Sequence, residues 1–208
     1  DSYPDGLCDA TDAFDYVIVT SDSLSDTTGQ MYNWSDLLSH RQSLDGLSGC
    51  IVTVEEITSC ADYFNETAIF NDSAAQLREF CKDAYLDWNT KYILLGGDWQ
   101  LNSESRQIVP CRIMTDDDES KSYDTVPSDL YFSNLDGDWY YDAKSVWGGG
   151  HDNDEQDTFS ELSVGRIPVW DAEMVSNAVQ KIIWYDYCND ETFLRSAGFL
   201  GGDLGWPS

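Results

Sequence analysis

The sequence predicts an α/β fold with a mostly parallel sheet flanked by helices, and three observations lead there. Two compact apolar runs, "FDYVIVT" at residues 14–20 and "KYILLGGD" at 91–98, have strand length and end in loop signals. Between and after them lie apolar stripes at helical spacing. Strand and helix alternate along the chain, as parallel strands joined by right-handed crossovers require.

Residues 14–20 read as a buried strand, and "SDSLSDTTGQ" as the loop at its carboxyl end. Met31, Trp34, Leu37 and Leu38 mark the first helix. "CIVTVEEI", from Cys50, reads as a second strand. Ser73 and Gln76 form a capping box, and Leu77, Phe80, Cys81, Ala84, Tyr85 and Trp88 make one stripe down the helix that follows. Residues 91–98 are the clearest strand, ending in a Gly-Gly turn that presents Asp98. Residues 99–161 read as a long acidic loop region, a length that points to function or to a bound metal. "LSVGRIPV" restores a strand. Val175, Ala178, Val179, Ile182 and Ile183 mark a helix opening after Asp171, and "AGFLGGDLGWPS" begins another strand ending at Asp203. No repeat or linker divides residues 1–208, so they read as a single domain, incomplete on its carboxyl-terminal side.

Composition narrows the function. Eleven Lys+Arg against 39 Asp+Glu give a net charge of −28, which repels nucleic acid and anionic membranes and favours cations. No apolar run reaches the length of a membrane span. Six cysteines, Cys8, Cys50, Cys60, Cys81, Cys111 and Cys188, have no CxxC spacing, which argues for disulfides in an oxidising compartment rather than for zinc. Sequons at Asn33, Asn65 and Asn71 agree with secretion, and Asp1 reads as a mature terminus. The acids Asp136, Asp138 and Asp142, then Asp152, Asp154 and Asp157, place oxygen ligands at alternate positions, as a structural calcium ion prefers, without a full EF-hand pattern.

Chemistry is expected at the carboxyl ends of the strands, where Ser21, Asp22, Asp98 and Asp203 fall. The two histidines do not supply an evident base: His40 reads as a surface helix residue, and His151 lies among glycines and carboxylates. An even cysteine count leaves no spare thiolate.

The succession "YVIVTSDSL", "FCKDAYLDW" with "YILLGGD", "PSDLYFSNLDGDW" and "SVGRIPVWDAEMVSNAVQKIIWYDY", over roughly residues 14–204, resembles the gingipain-like family of cysteine peptidases. The resemblance implies a caspase-like fold and a secreted endopeptidase working through an acyl-enzyme, often calcium-stabilised. It also implies that Glu161, just ahead of "VGR", orients the catalytic His. The His and the nucleophilic Cys of such enzymes come after the segment matching "AGFLGGDLGWPS", so a downstream segment or second chain is the expected partner, with a protein or peptide as substrate. The alternative is a non-catalytic extracellular structural or adhesive module, glycosylated and calcium-stabilised, in a homo-oligomer or surface assembly. A carbohydrate-binding module using the aromatics of "DGDWYYD" and "SVWGGG" is a third reading.

Overall fold

The computed structural model describes residues 7, 12–25, 27–64, 71–100, 102–115, 125–136 and 159–188. Among the described residues, four parallel strands form the main sheet: β1 (Tyr16–Thr20), β2 (Gly49–Thr53), β3 (Tyr92–Gly96) and β6 (Ser163–Ile167), in the order β2-β1-β3-β6. Tyr16 lies level with Gly49 and Tyr92, and Tyr92 with Ser163, so the strands share one amino edge and one carboxyl edge. β1, in the middle, is buried along its whole length, which is why it reads as an unbroken apolar run.

Two layers of helix cover the sheet. On one face α3 (Val54–Ser59) and α4 (Ser73–Leu86) enclose Val17, Val19, Val52, Leu77, Phe80 and Leu95. On the other, α2 (Trp34–Asp45) and α6 (Ala172–Asp186) enclose Ile18, Trp34, Leu37, Val175 and Val179. Alternate residues of β1 thus feed opposite cores. Trp34, Phe80, Leu77 and Ile18 are fully buried, each contributing about 1.5–3 kcal/mol on leaving water. The mostly parallel sheet flanked by helices is the caspase-like α/β arrangement that the sequence implies.

Several local expectations are corrected. The run from Cys50 does not stay extended, because Thr53 caps α3: its Oγ1 accepts from Glu56 N–H while Glu56 accepts from Thr53 N–H. The cap of α4 is Asp72, whose Oδ1 accepts from Ala75 N–H at 2.9 Å, and not a Ser73–Gln76 box. Met31 precedes α2 and is exposed; Asn33 caps that helix. His40 is buried, its Nε2 lying 2.8 Å from Asp186 Oδ2, and so ties α2 to α6.

The acidic stretch is not all loop. β4 (Arg112–Thr115) and β5 (Thr125–Ser128) pair antiparallel, with Pro127 opposite Ile113, and a short helix, α5 (Leu130–Ser133), follows. Arg112 anchors this hairpin bidentately on Asp72, at 2.8 and 2.9 Å, with Tyr131 under its guanidinium.

The expectation that every cysteine is bridged also fails. Cys50 and Cys81 fill the main core, Cys111 is buried and Cys188 is exposed, all as free thiols. In the core they act as small apolar fillers. Cys60 ends α3, and Cys8 lies outside the described residues. Among the described residues, no helix is long and apolar enough to cross a membrane.

Candidate functional site

The carboxyl edge is built where β1 and β3 end side by side. Thr20 Oγ1 donates to Gly96 O at 2.8 Å and locks the two strand ends together, with Ser21 and Asp22 just beyond. Gly96 and Gly97 are required there by close approach. A Cβ on Gly96 would stand 2.7 Å from the Trp34 ring, and one on Gly97 2.7 Å from methyls of Ile108 and Val109.

Asp98 follows, nearly buried, with its backbone held by Val169 O, at 2.8 Å, and by Ile108 N–H, at 2.9 Å. Its Oδ2 accepts from Arg106 Nε at 2.6 Å, and the Arg106 guanidinium stacks 4.0 Å over Trp170. Asp98 is therefore fixed on the carboxyl edge, where the sequence puts it, but as half of an ion pair.

Arg166, on β6, organises this edge. Its five N–H donors are all used: Nε and one terminal nitrogen grip Asp129, at 2.8 and 2.7 Å, while the remaining bonds reach Gly97 O and Val109 O, both at 2.7 Å, and Pro110 O at 2.9 Å. One planar fork thus joins β3, β6, the strand into the hairpin and the start of α5. A cavity of about 220 Å³ opens beside it, lined by Asp98, Trp99, Cys111, Pro127, Asp129 and Arg166. Arg106, Asp129 and Arg166 were not singled out from the sequence. The available signal was scarcity: in a chain with 11 basic residues, an arginine inside a strand needs a partner before it is buried.

Glu161 lies elsewhere. It precedes Ser163, which is level with the first residues of β3 and β1, so it stands at the amino edge. Its Oε2 accepts from Leu135 N–H at 2.7 Å beside a 170 Å³ cavity that Lys82, Tyr85, Leu86, Leu135 and Asp136 also line. Arg166 lies three residues beyond Ser163, about 10 Å along β6 toward its other end. In the described residues Glu161 anchors the Leu135 turn.

No thiolate is poised among the buried cysteines. Burial pushes the Cys111 thiol up to about 11 and that of Cys50 up to about 12, and raises that of Cys81 as well. His40 is engaged by Asp186, and Arg41 shares the same carboxylate oxygen at 2.9 Å. Of the calcium candidates Asp136 alone is described; Asp138, Asp142, Asp152, Asp154 and Asp157 lie outside the described residues, as do His151 and Asp203. Among the described residues, no group of three or more His, Cys, Asp or Glu is placed to hold a metal ion. Of the sequons, Asn33 caps α2 and Asn71 directly precedes the cap of α4, while Asn65 lies outside the described residues.

Comparison with known proteins agrees with this architecture. No curated protein matches the chain. Among solved structures, dimeric latent PorU from Porphyromonas gingivalis matches with a TM-score of 0.52 and 20% identity, over 84% of this chain and 16% of that one. At that identity the likeness is one of fold, and this chain spans about a sixth of PorU's length. The model of peptidase family C25 matches residues 9–206, nearly the whole sequence. The chain belongs to peptidase family C25, the gingipain family of cysteine peptidases.

Proposed function

We propose that this chain is the amino-terminal part of the catalytic domain of a secreted cysteine endopeptidase, with the carboxyl edge of the sheet as its substrate side. The observation that carries the reading is the family match across residues 9–206. The pinned strand ends at Thr20, Asp98 and Arg166 support it, since an open parallel sheet presents ligands at that edge.

The nucleophilic Cys and the base His of this reading belong to a downstream segment or a second chain. The His takes the thiol proton, and the thiolate attacks the scissile carbonyl carbon. The amine leaves with that proton, and water then releases the acyl group from sulfur. Backbone N–H donors hold the oxyanion. This chain contributes rigidity: Arg166 and Arg106 hold the edge in one geometry, and the held geometry lowers the entropic part of the barrier. Structural calcium on the acids between Asp136 and Asp157 belongs to the same proposal and rests on the sequence pattern alone.

A thiol-directed peptidyl acyloxymethyl ketone tests the reading on the native protein with all its associated polypeptide. One stoichiometric adduct is expected, on a cysteine other than the six of residues 1–208. No adduct overturns it in favour of a non-catalytic extracellular module.

A further inference from the structure

We infer that Asn33 and Asn71 carry N-linked glycans that flank the carboxyl edge from both faces of the sheet and limit the size of substrate that reaches it. The gating part rests on the peptidase reading above; the placement of the glycans does not.

The placement follows from how the helices run. α2 and α4 each lead back toward the amino edge, one to the start of β2 and the other to the start of β3, so each begins at the carboxyl edge. Trp34, the first residue of α2, lies against Gly96 at the end of β3. Asp72, the cap of α4, is held by Arg112, next in sequence to Cys111 in the cavity beside Asp98. α2 belongs to one core and α4 to the other, so the two sequons lie on opposite sides of the same edge.

The local chemistry permits modification. Asn33 is half-exposed, and its Oδ1, not its Nδ2, accepts from Asp36 N–H at 3.0 Å. Glycosylation substitutes Nδ2 and leaves the oxygen to cap α2. In the transfer, the bond from sugar C1 to the diphosphate of a lipid-linked oligosaccharide breaks and a C1–Nδ2 bond forms. The amide nitrogen loses one proton, and the lipid diphosphate departs. Trp34 is fully buried in the folded chain, so the transfer precedes folding. Ser35 is exposed and Asn71 is half-exposed, so the fold leaves room for both glycans.

The test has two arms on the native secreted protein. Peptides spanning Asn33 and Asn71 are analysed by mass spectrometry after peptide N-glycosidase treatment in heavy-oxygen water. Conversion of both to labelled Asp is expected, and an unmodified Asn at either position overturns the inference. Ser35→Ala and Ser73→Ala then remove the sequons without touching the caps. Cleavage of a folded protein substrate should rise several-fold while cleavage of a short peptide stays unchanged. Equal changes on both substrates, or none, overturn the gate. Two modified asparagines with no covalent probe labelling in any variant would instead overturn the peptidase reading and the gate with it, leaving the glycan positions standing.

Discussion

Replacing Arg166 by Lys isolates the contribution of the guanidinium fork at nearly constant charge. The wild-type side chain makes five bonds, two to Asp129 and one each to Gly97 O, Val109 O and Pro110 O. An ammonium has three donors and no planar fork, so at least two bonds are lost. Each charge-assisted bond contributes about 1.5–3 kcal/mol. The Asp129 side chain is 27% exposed, so the lower value applies, and the loss comes to about 3 kcal/mol. With a urea slope of about 2 kcal/mol/M, the unfolding midpoint should fall by about 1.5 M. Urea titration followed by tryptophan fluorescence reads this directly. Adding Asp129→Asn to both backgrounds completes a cycle in which the two substitutions should be strongly non-additive. A midpoint shift under about 0.5 M, or simple additivity, would show that Arg166 does not hold the edge together.

Four further outcomes follow from the same geometry. Glu161→Ala should cost about 1–2 kcal/mol by freeing Leu135 N–H, with probe labelling per folded molecule unchanged; labelling lost without a loss of stability would restore its role as an orienting acid. Gly97→Ala should destabilise by about 1–3 kcal/mol, because its Cβ meets Ile108 and Val109 at 2.7 Å, whereas Gly165→Ala, whose Cβ would meet no atom of the described residues within 4 Å, should change thermal stability little. Lys91 and Ser48 hold the Asp15 carboxyl down at about 2. Because that folded value lies below the unfolded one of about 4, the stabilisation is present above pH 4 and fades as pH falls toward 2, so wild type and Asp15→Asn should converge only in strong acid. Of Cys50, Cys81, Cys111 and Cys188, only Cys188 should react promptly with iodoacetamide at pH 8 in the native state; rapid labelling of Cys111 would mean that its cavity is open and its thiol ionised.

The elements were legible because their signals are local. The run at β1 is apolar on both faces, and the stripe of α4 repeats at helical spacing, so neighbouring residues suffice to predict both. The Thr53–Glu56 box was equally local and readable, yet the apolar run before it hid the change from strand to helix. Asp98 was placed correctly because a Gly-Gly turn after a buried strand must open at the strand's carboxyl end.

The site was not local. Arg166 meets Asp129 from 37 positions away and Gly97 from 69, and His40 meets Asp186 from 146, distances no periodicity spans. Glu161 and Arg166 are near neighbours in sequence but stand toward opposite edges of the sheet, because β6 carries the chain from the one edge to the other. Composition and pattern therefore specify a parallel α/β sheet with acids at its strand ends. Which charges meet, and at which edge they meet, depends on strand order and register, since burial allows an arginine to remain in a core only where folding brings it every acceptor it needs.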